Sequence, residues 1–425
     1  IGVAFDADNG TLTFYKNGVS QGTAFTGLTS GPYFPAVSTY NSGLVVNFGA
    51  RPFAYTPPTG FVSLCTQNLT DPTIADGSTA MDVLTWSGSS GNRSFSSLSL
   101  SPDLVWIKQR NQSYSVGHQI YDIVRGAGSL KQLDSSDTTA EGGGNTDDYG
   151  YLSSFDSAGF SVTSGSIGDD YVNKSGVTYV SWAWDAGTST ATNTDGSITS
   201  NVRANQSAGF SIVSYTGDGS GTDTIGHGLN DAPSLVITKS RGTTGSWRVF
   251  TDVGGTWKLG NLNNTDAFVN ATVSAPTSSV FSIDGNSNAS TTHIAYCFAP
   301  VASYSAFGDF INPSSTDGAF VYCGFKPAFI LAKCAENISS SSGLGHWILK
   351  DTTRSPYNDP SDGNTLVANV DAAEDDFFNA NQAAVDILSN GFKIRHPNSA
   401  PLGDTGRRYI FAAFASHPFK TARAR

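Results

Sequence analysis

The 425-residue chain has room for two to four domains, each with its own core. A formal net charge of −11, with only 14% charged residues and no Lys/Arg stripe, argues against a nucleic-acid backbone or an anionic membrane surface as partner. Aromatics at 12% and hydrophobics at 38% exclude a disordered chain, and no apolar run of about eighteen residues predicts a membrane-inserting helix. β-branched and aromatic residues come in short bursts between Gly/Ser/Asn clusters, which predicts an all-β protein of many short strands.

The first element is "VAFDADNGTLTFYKNGVSQGTAF". Asn9-Gly10 and Asn17-Gly18 bracket a strand from Thr11 to Tyr15, and Asn-Gly suits the positive φ angles of a tight hairpin turn. An EF-hand calcium loop would need further oxygen ligands and a closing Glu, so we expect two turns and no metal.

These residues, with Tyr33-Phe34-Pro35-Ala36 and Val45-Val46-Asn47-Phe48-Gly49, resemble the second half of a SPRY domain, a bent antiparallel β-sandwich. The resemblance spans about residues 1–56 and implies a protein-binding module. It lacks the first half of that sandwich, and the only methionine is Met81. We therefore expect the C-terminal portion of a longer polypeptide, or a processed product. The partial sandwich is assigned to residues 1–62 and a linker to 63–79.

Beyond it the sequence repeats. "SPDLVWIKQRN", "APSLVITKSRG" and "KPAFILAKCAE" each start a strand with a proline (Pro102, Pro233, Pro327) and place a lysine six positions on (Lys108, Lys239, Lys333). Proline at a strand start costs no ladder hydrogen bond, and the lysine marks where the strand is expected to emerge into water. Downstream follow "HQIYDIVRG", "SWRVFTDVGG" and "HWILKDTTR", with Asp122, Asp252 and Asp351. Then come "SAGFSV", "SSVFSI" and "SNGFKI", and finally "YVSWAWDAG", "HIAYCFAPV" and "YIFAAFASHPF". The common order predicts three similar small antiparallel β-sandwiches, at 80–187, 208–304 and 305–425, with a linker at 188–207. One helix is expected within 373–388, with Phe377, Phe378, Ala384 and Ile387 on its face.

No catalytic constellation emerges, and we expect neither enzyme activity nor a cofactor. Ser220 and His227 lie in a glycine-rich turn and not on a nucleophile elbow. The six histidines (His118, His227, His293, His346, His396, His417) lack zinc-site spacing, and His118 and His346 read as packing residues. Acidic clusters at Asp147-Asp148, Asp169-Asp170 and Glu374-Asp375-Asp376 read as loop or helix-start residues, although a glycosidase pair is defined by separation in space. Cys65, Cys297, Cys323 and Cys334 read as buried thiols, with a Cys323–Cys334 bridge left open. Trp106, Trp182 and Trp347 recur at repeat positions and are expected in cores; Tyr149, Tyr151, Tyr171 and Trp257 are the candidate binding residues. Sequons at Asn68 and Asn288 follow from composition.

The repeated Pro-strand-Lys segments, the closing "FAAFASHPFKTARAR" and the SPRY-like start together resemble virion proteins of tailed bacteriophages, notably cyanophages. That resemblance implies a structural tail fibre or receptor-binding appendage on the virion surface. Its implied partners are a host-surface glycan or protein and other virion proteins, and its implied assembly is a homotrimer. Two alternatives are kept: a capsid decoration or head fibre protein, and a carbohydrate-active glycan depolymerase.

Overall fold

The structure, a computed structural model, describes the chain except residues 30–32, 34, 41–42, 66–67, 69–70, 113–115, 144–146, 167–170, 314–317, 337–344, 359–363, 375–384, 396–400 and 417–425. Asp169, Asp170, Asp375, Asp376, His396, His417, Phe377, Phe378 and Ala384 lie outside the described residues. The chain divides into two compact units, residues 1–71 and 72–419.

In the first unit, strands β1 (Gly2–Asp6), β2 (Thr11–Lys16) and β3 (Val19–Phe25) form one antiparallel sheet. Asn17 and Gly18 both take positive φ, 52° and 79°, so this turn is the expected two-residue hairpin loop. At Asn9-Gly10 the loop is longer. Asp6 pairs with Thr11, and the Asp6 carboxylate accepts from the Asn9 backbone and side-chain amides (2.9 and 2.8 Å). These bonds hold the Asp6 carboxyl below its usual range, so the aspartate organises a turn. Val3, Val19 and Phe25 remain exposed on this sheet.

The second unit builds one topology three times. The first block contains β4 (Met81–Ser87), β5 (Arg93–Phe95), β6 (Leu104–Gln109), β7 (Gln119–Asp122), β8 (Tyr151–Asp156), β9 (Gly159–Thr163) and β10 (Thr178–Trp184). They form a main sheet in the order β4-β10-β6-β7 and a smaller one, β5-β9-β8. The second block begins with the hairpin β11 (Thr190–Asn193) and β12 (Ser200–Asn205). It continues with β13 (Phe210–Thr216), β14 (Asp223–Gly226), β15 (Leu235–Ser240), β16 (Arg248–Asp252), β17 (Trp257–Asn261), β18 (Val269–Asn270), β19 (Val280–Ile283) and β20 (Thr292–Phe298). Its main sheet runs β11-β12-β13-β20-β15-β16-β17-β18, faced by β14-β19. The third block has β21 (Ser305–Ile311), β22 (Phe320–Tyr322), β23 (Pro327–Cys334), β24 (Ile348–Asp351), β25 (Leu366–Val367), β26 (Val385–Leu388), β27 (Gly391–Ile394) and β28 (Arg408–Ala415). Its sheets are β21-β28-β23-β24-β25 and β22-β27-β26. In every block the closing strand (β10, β20, β28) inserts between the strand before the glycine turn (β4, β13, β21) and the Pro-Lys strand (β6, β15, β23).

Two local expectations change. Residues 188–207 are not a bare linker: β11 pairs with β12 and β12 with β13, with Val202 reaching the block's core. Ile387, expected on a helix face, lies on β26, where the alternating Val-Asp-Ile-Leu pairs with β27.

The closing strands explain how the blocks cohere. On β10, Tyr179 and Ala183 face a core local to the first block, while Val180, Trp182 and Trp184 face a second core. β20 splits likewise into Ala295 and Cys297 against Ile294, Tyr296 and Phe298. On β28, Tyr409, Phe411, Ala413 and Ala415 face the local side and Ile410, Ala412 and Phe414 the other. The second set of each strand enters one cluster common to all three blocks. Trp184, Phe298 and Phe414 occupy equivalent positions there and contact one another, with centroids 6.4, 6.0 and 5.8 Å apart. The blocks are therefore three sandwiches arranged with approximate threefold symmetry around a shared aromatic core.

The repeated lysines do not emerge into water. Lys108, Lys239 and Lys333 are each at most 1% exposed. Lys108 Nζ donates to the carbonyls of Val116 (2.8 Å) and of Asp371 in the third block (3.0 Å). Lys239 Nζ donates to Thr138 O of the first block and to Ser240 O, both at 3.1 Å. Lys333 Nζ donates to Thr265 O and Asp266 O of the second block (3.2 and 2.9 Å) and to Cys334 O. Each ammonium thus ties its block to a neighbour, and together the three close a ring. Carbonyl acceptors make the burial tolerable. Two tryptophans do the same: Trp247 Nε1 donates to Asp134 O of the first block and Trp347 Nε1 to Asn261 O of the second.

Candidate functional site

One of the places where the second block departs from its sisters is the start of its closing strand, and a cavity lies beside it. At the start of the closing strand the first and third blocks carry Tyr179 and Tyr409, each stacked on an aromatic of the first strand: Trp86 at 5.2 Å and Phe310 at 5.3 Å. Each phenol oxygen accepts from a loop amide, Lys174 N at 2.9 Å and Asp404 N at 2.8 Å. The equivalent residue of the second block is His293, stacked on Tyr215 at 5.1 Å. Register equivalents change with it: Thr238 stands where the others have Ile107 and Ala332, and Arg248 where they have Gln119 and Ile348.

The cavity measures about 240 Å³. Thr238, Ser240, Ser287 and His293 form its buried part, and Thr243, Thr244 and Asn286 its exposed mouth. Thr238 and Ser287 join hydroxyls at 2.9 Å, Ser240 and Thr243 at 2.8 Å. Arg248 pairs with the buried Asp284 carboxylate, which also accepts from Ser287 N.

Two buried polar atoms here have no hydrogen-bond partner: His293 Nδ1 and Arg248 Nε. His293 Nε2 lies 3.0 Å from the Ala289 carbonyl, so Nε2 carries the proton and Nδ1 presents a bare lone pair. Burial lowers the His293 pKa below the ordinary range; the Ala289 carbonyl and Asp284 oppose this and Lys239 adds to it. Both atoms have almost no accessible surface, so what the cavity wall offers is mainly the hydroxyl side chains of Thr238, Ser240, Thr243 and Ser287. No hydroxyl bonds His293 Nδ1, so no nucleophile–base pair exists at this position among the described residues.

Residues 76–418 match the family described as domain of unknown function (DUF7483). The chain belongs to the DUF7483 family. Because the match runs through all three blocks, the DUF7483 unit is the threefold assembly and not a single sandwich. Residues 1–51 match the SPRY domain. One relative, E3 ubiquitin-protein ligase RKP of Arabidopsis thaliana, is 45% identical over 69 residues, covering 15% of this chain and 5% of the ligase. The chain thus spans a small fraction of that relative. No solved structure matches it.

Within the DUF7483 unit, the binding residues expected from sequence do not converge on the cavity. Tyr149 and Tyr171 stack at 5.1 Å in the first block, with Tyr149 exposed. Tyr151, on β8, packs against that block's local core together with Tyr171. Trp257 packs against the second block's core at the far end of the β16–β17 hairpin from Arg248.

Other candidates resolve structurally. Ser220 Oγ donates to Asp223, while the His227 ring bonds Thr277 O and Leu229 N. His118 accepts from Trp106 Nε1 and approaches Val367 O of the third block. Asn288 is buried, its amide donating to Asp218 and Asp223. Glu374 bridges Arg110 of the first block and Arg354 of the third. All four cysteines are unbridged, with Cys65 and Cys323 only half-buried. Among the described residues no group of three His, Cys, Asp or Glu side chains is placed to hold a metal ion, and no helix is long and apolar enough to cross a membrane.

Sequence reasoning missed the cavity, although its signal stood in the aligned closing strands. There "YVSWAW", "HIAYCF" and "YIFAAF" place one histidine against two tyrosines.

Proposed function

We propose that this chain is a non-catalytic recognition protein of a tailed-phage virion, a tail fibre or receptor-binding appendage that contacts a host-surface glycan. The observation that carries the reading is the polar cavity of the second block, set in a body whose three blocks share one aromatic core. Such a scaffold holds surface groups in fixed positions, which lowers the ordering cost of contact. The SPRY match supports recognition as the theme of the N-terminal unit, and the low charge suits neutral partners. Three similar faces already exist within one chain, so a homotrimer would multiply them.

The test is cosedimentation of the purified protein with cyanobacterial cells and with their extracted surface polysaccharide, while polymer length is followed by size-exclusion chromatography. Binding without shortening is the expected result. Shortening of the polymer would move the protein to the depolymerase class, and antibody labelling of particle heads would move it to head decoration.

A further inference from the structure

We propose that the open edge of the third block, made by β21 and β22, is a self-association surface on which a second copy of this chain docks, β21 against β21, about a twofold axis. The inference goes beyond the recognition reading and does not depend on the second-block cavity.

The chain supplies its own controls, because all three blocks build this edge. In the second block it is covered. β12 pairs with β13, and the turn before β12 runs along β14. There Ile198 N donates to Thr224 O (3.2 Å), Thr224 N to Ser197 Oγ (2.9 Å) and Ser200 Oγ to Gly226 O (3.0 Å). In the third block, among the described residues, β21 pairs only with β28 and β22 only with β27. The opposite edge of that small sheet is capped, since the Asn358 side chain bonds both Ile387 N (2.8 Å) and Ile387 O (2.9 Å) on β26.

The side chains separate the third block from the first, whose edge is polar. Phe95, Ile225 and Val321 are equivalent, each opposing a phenylalanine: Phe160, Phe281 and Phe392. Flanking them stand Ser94 and Ser96 in the first block, Thr224 and Gly226 in the second, but Phe320 and Tyr322 in the third. At the end of the preceding strand, Ser87 and Thr216 give way to Ile311. Ile311, Phe320 and Tyr322 are 51, 47 and 69% exposed. Asn312 Oδ1 accepts from Ala319 N (3.1 Å), which holds the end of β21 beside the start of β22. In the first block the Asp82 carboxylate takes up Val83 N (2.8 Å), and Ser87, Ser94 and Ser96 are exposed. The fold therefore does not require apolar residues here. An open edge that carries them is a template for pairing with another strand.

Charge fits a second copy as the occupant. The one ionised side chain of β21, Asp309, is already held by Arg408 and by Gly254 N. With the axis at Gly308, Phe307 faces Asp309 and Ala306 faces Phe310, so no like charges meet and each copy sets apolar groups against apolar groups. The second block shows that a strand fits this register: the equivalents of Ala306–Phe310 on β13, Ser211–Tyr215, are all paired with β12.

The experiment follows the full chain by sedimentation velocity and by amide hydrogen exchange at rising protein concentration. The wild type is expected to reach twice the mass of the variant I311S/F320S/Y322S, which carries the first block's serines and associates at least about tenfold more weakly. Exchange over residues 305–311 is expected to slow as the wild type associates, and to stay unchanged in the variant. If the triple variant fails to fold, Y322S and the wild-type exchange pattern carry the test. A mass that does not rise with concentration, equal association in a folded variant, or slowed exchange on β1–β3 in place of β21 overturns the proposal. The last result would place the contact on the exposed sheet of the first unit.

Discussion

Lys108, Lys239 and Lys333 show how far a residue's setting can lie from its sequence neighbourhood. Each lies near the end of an apolar strand, where a lysine ordinarily reaches water, yet each donates to carbonyls of an adjacent block. Burial lowers all three pKa values to about 8 from the ordinary 10.5. Between those values the unfolded chain binds more protons than the folded one, so this contribution to stability is present above about pH 10.5 and lost as pH falls through about 8. The buried thiols Cys297, Cys323 and Cys334 act oppositely: their pKa values are raised from 9, so stability falls as pH rises past that value. Stability from these groups is therefore expected to climb from pH 8 to 9. Urea unfolding at several pH values, compared with K239M, checks it. The variant should lose up to about 1.4 kcal/mol per pH unit of slope, the linkage of one proton. Equal slopes would mean that Lys239 titrates normally. The proline-to-lysine spacing was legible in the sequence, but the burial was not, since the acceptors of each lysine come from a distant block.

At the scale of elements, the turn after the aromatic strand is built twice around a buried ion pair. Asp351 and Arg354 meet at 2.6 Å, with no exposed side-chain surface on either. Arg354 also donates to Leu349 O and Asn364 O, while Asp351 accepts from Trp182 Nε1 of the first block at 3.0 Å. Asp122 and Arg125 repeat the arrangement, with Tyr296 of the second block donating to Asp122 at 2.8 Å. In the second block glycines at positive φ follow the aspartate, and Asp252 stays exposed, holding only the Gly255 amide. R354L strands the Asp351 carboxylate and is expected to cost about 3–5 kcal/mol. D252N keeps an acceptor oxygen and should stay within about 0.5 kcal/mol. Chemical denaturation of both variants decides; a mild R354L would show that Asp351 is solvated or takes up a proton. The three aspartates were visible in the aligned sequence, and the arginine three residues on stands there in two copies only. The strands themselves were legible from period-2 patterning and turn residues. β11–β12 was not, because a Ser/Thr/Asn-rich edge hairpin that sends little more than Val202 and Ala204 to the core reads as linker.

At the scale of the DUF7483 unit, the repeat order was legible but the assembly was not. The closing strands contained the clue. "YVSWAW" and "YIFAAF" have almost no polar face, and a strand apolar on both faces must be covered twice. One cover is the block's own small sheet; the other is the cluster supplied by the two sister blocks. A block cut free would expose Trp106, Trp182 and Trp184, all at most 6% exposed in the whole, and would leave Lys108 without Asp371 O. Residues 76–187 alone are therefore expected to show no cooperative thermal transition and to bind a hydrophobic dye. Residues 72–425 should unfold in one transition, with far-ultraviolet circular dichroism and tryptophan fluorescence coinciding. A folded, dye-negative first block with its own sharp transition would show that the shared core is a docking surface between independent domains. The same result would undo the argument that the rigidity of the second-block cavity derives from all three blocks together.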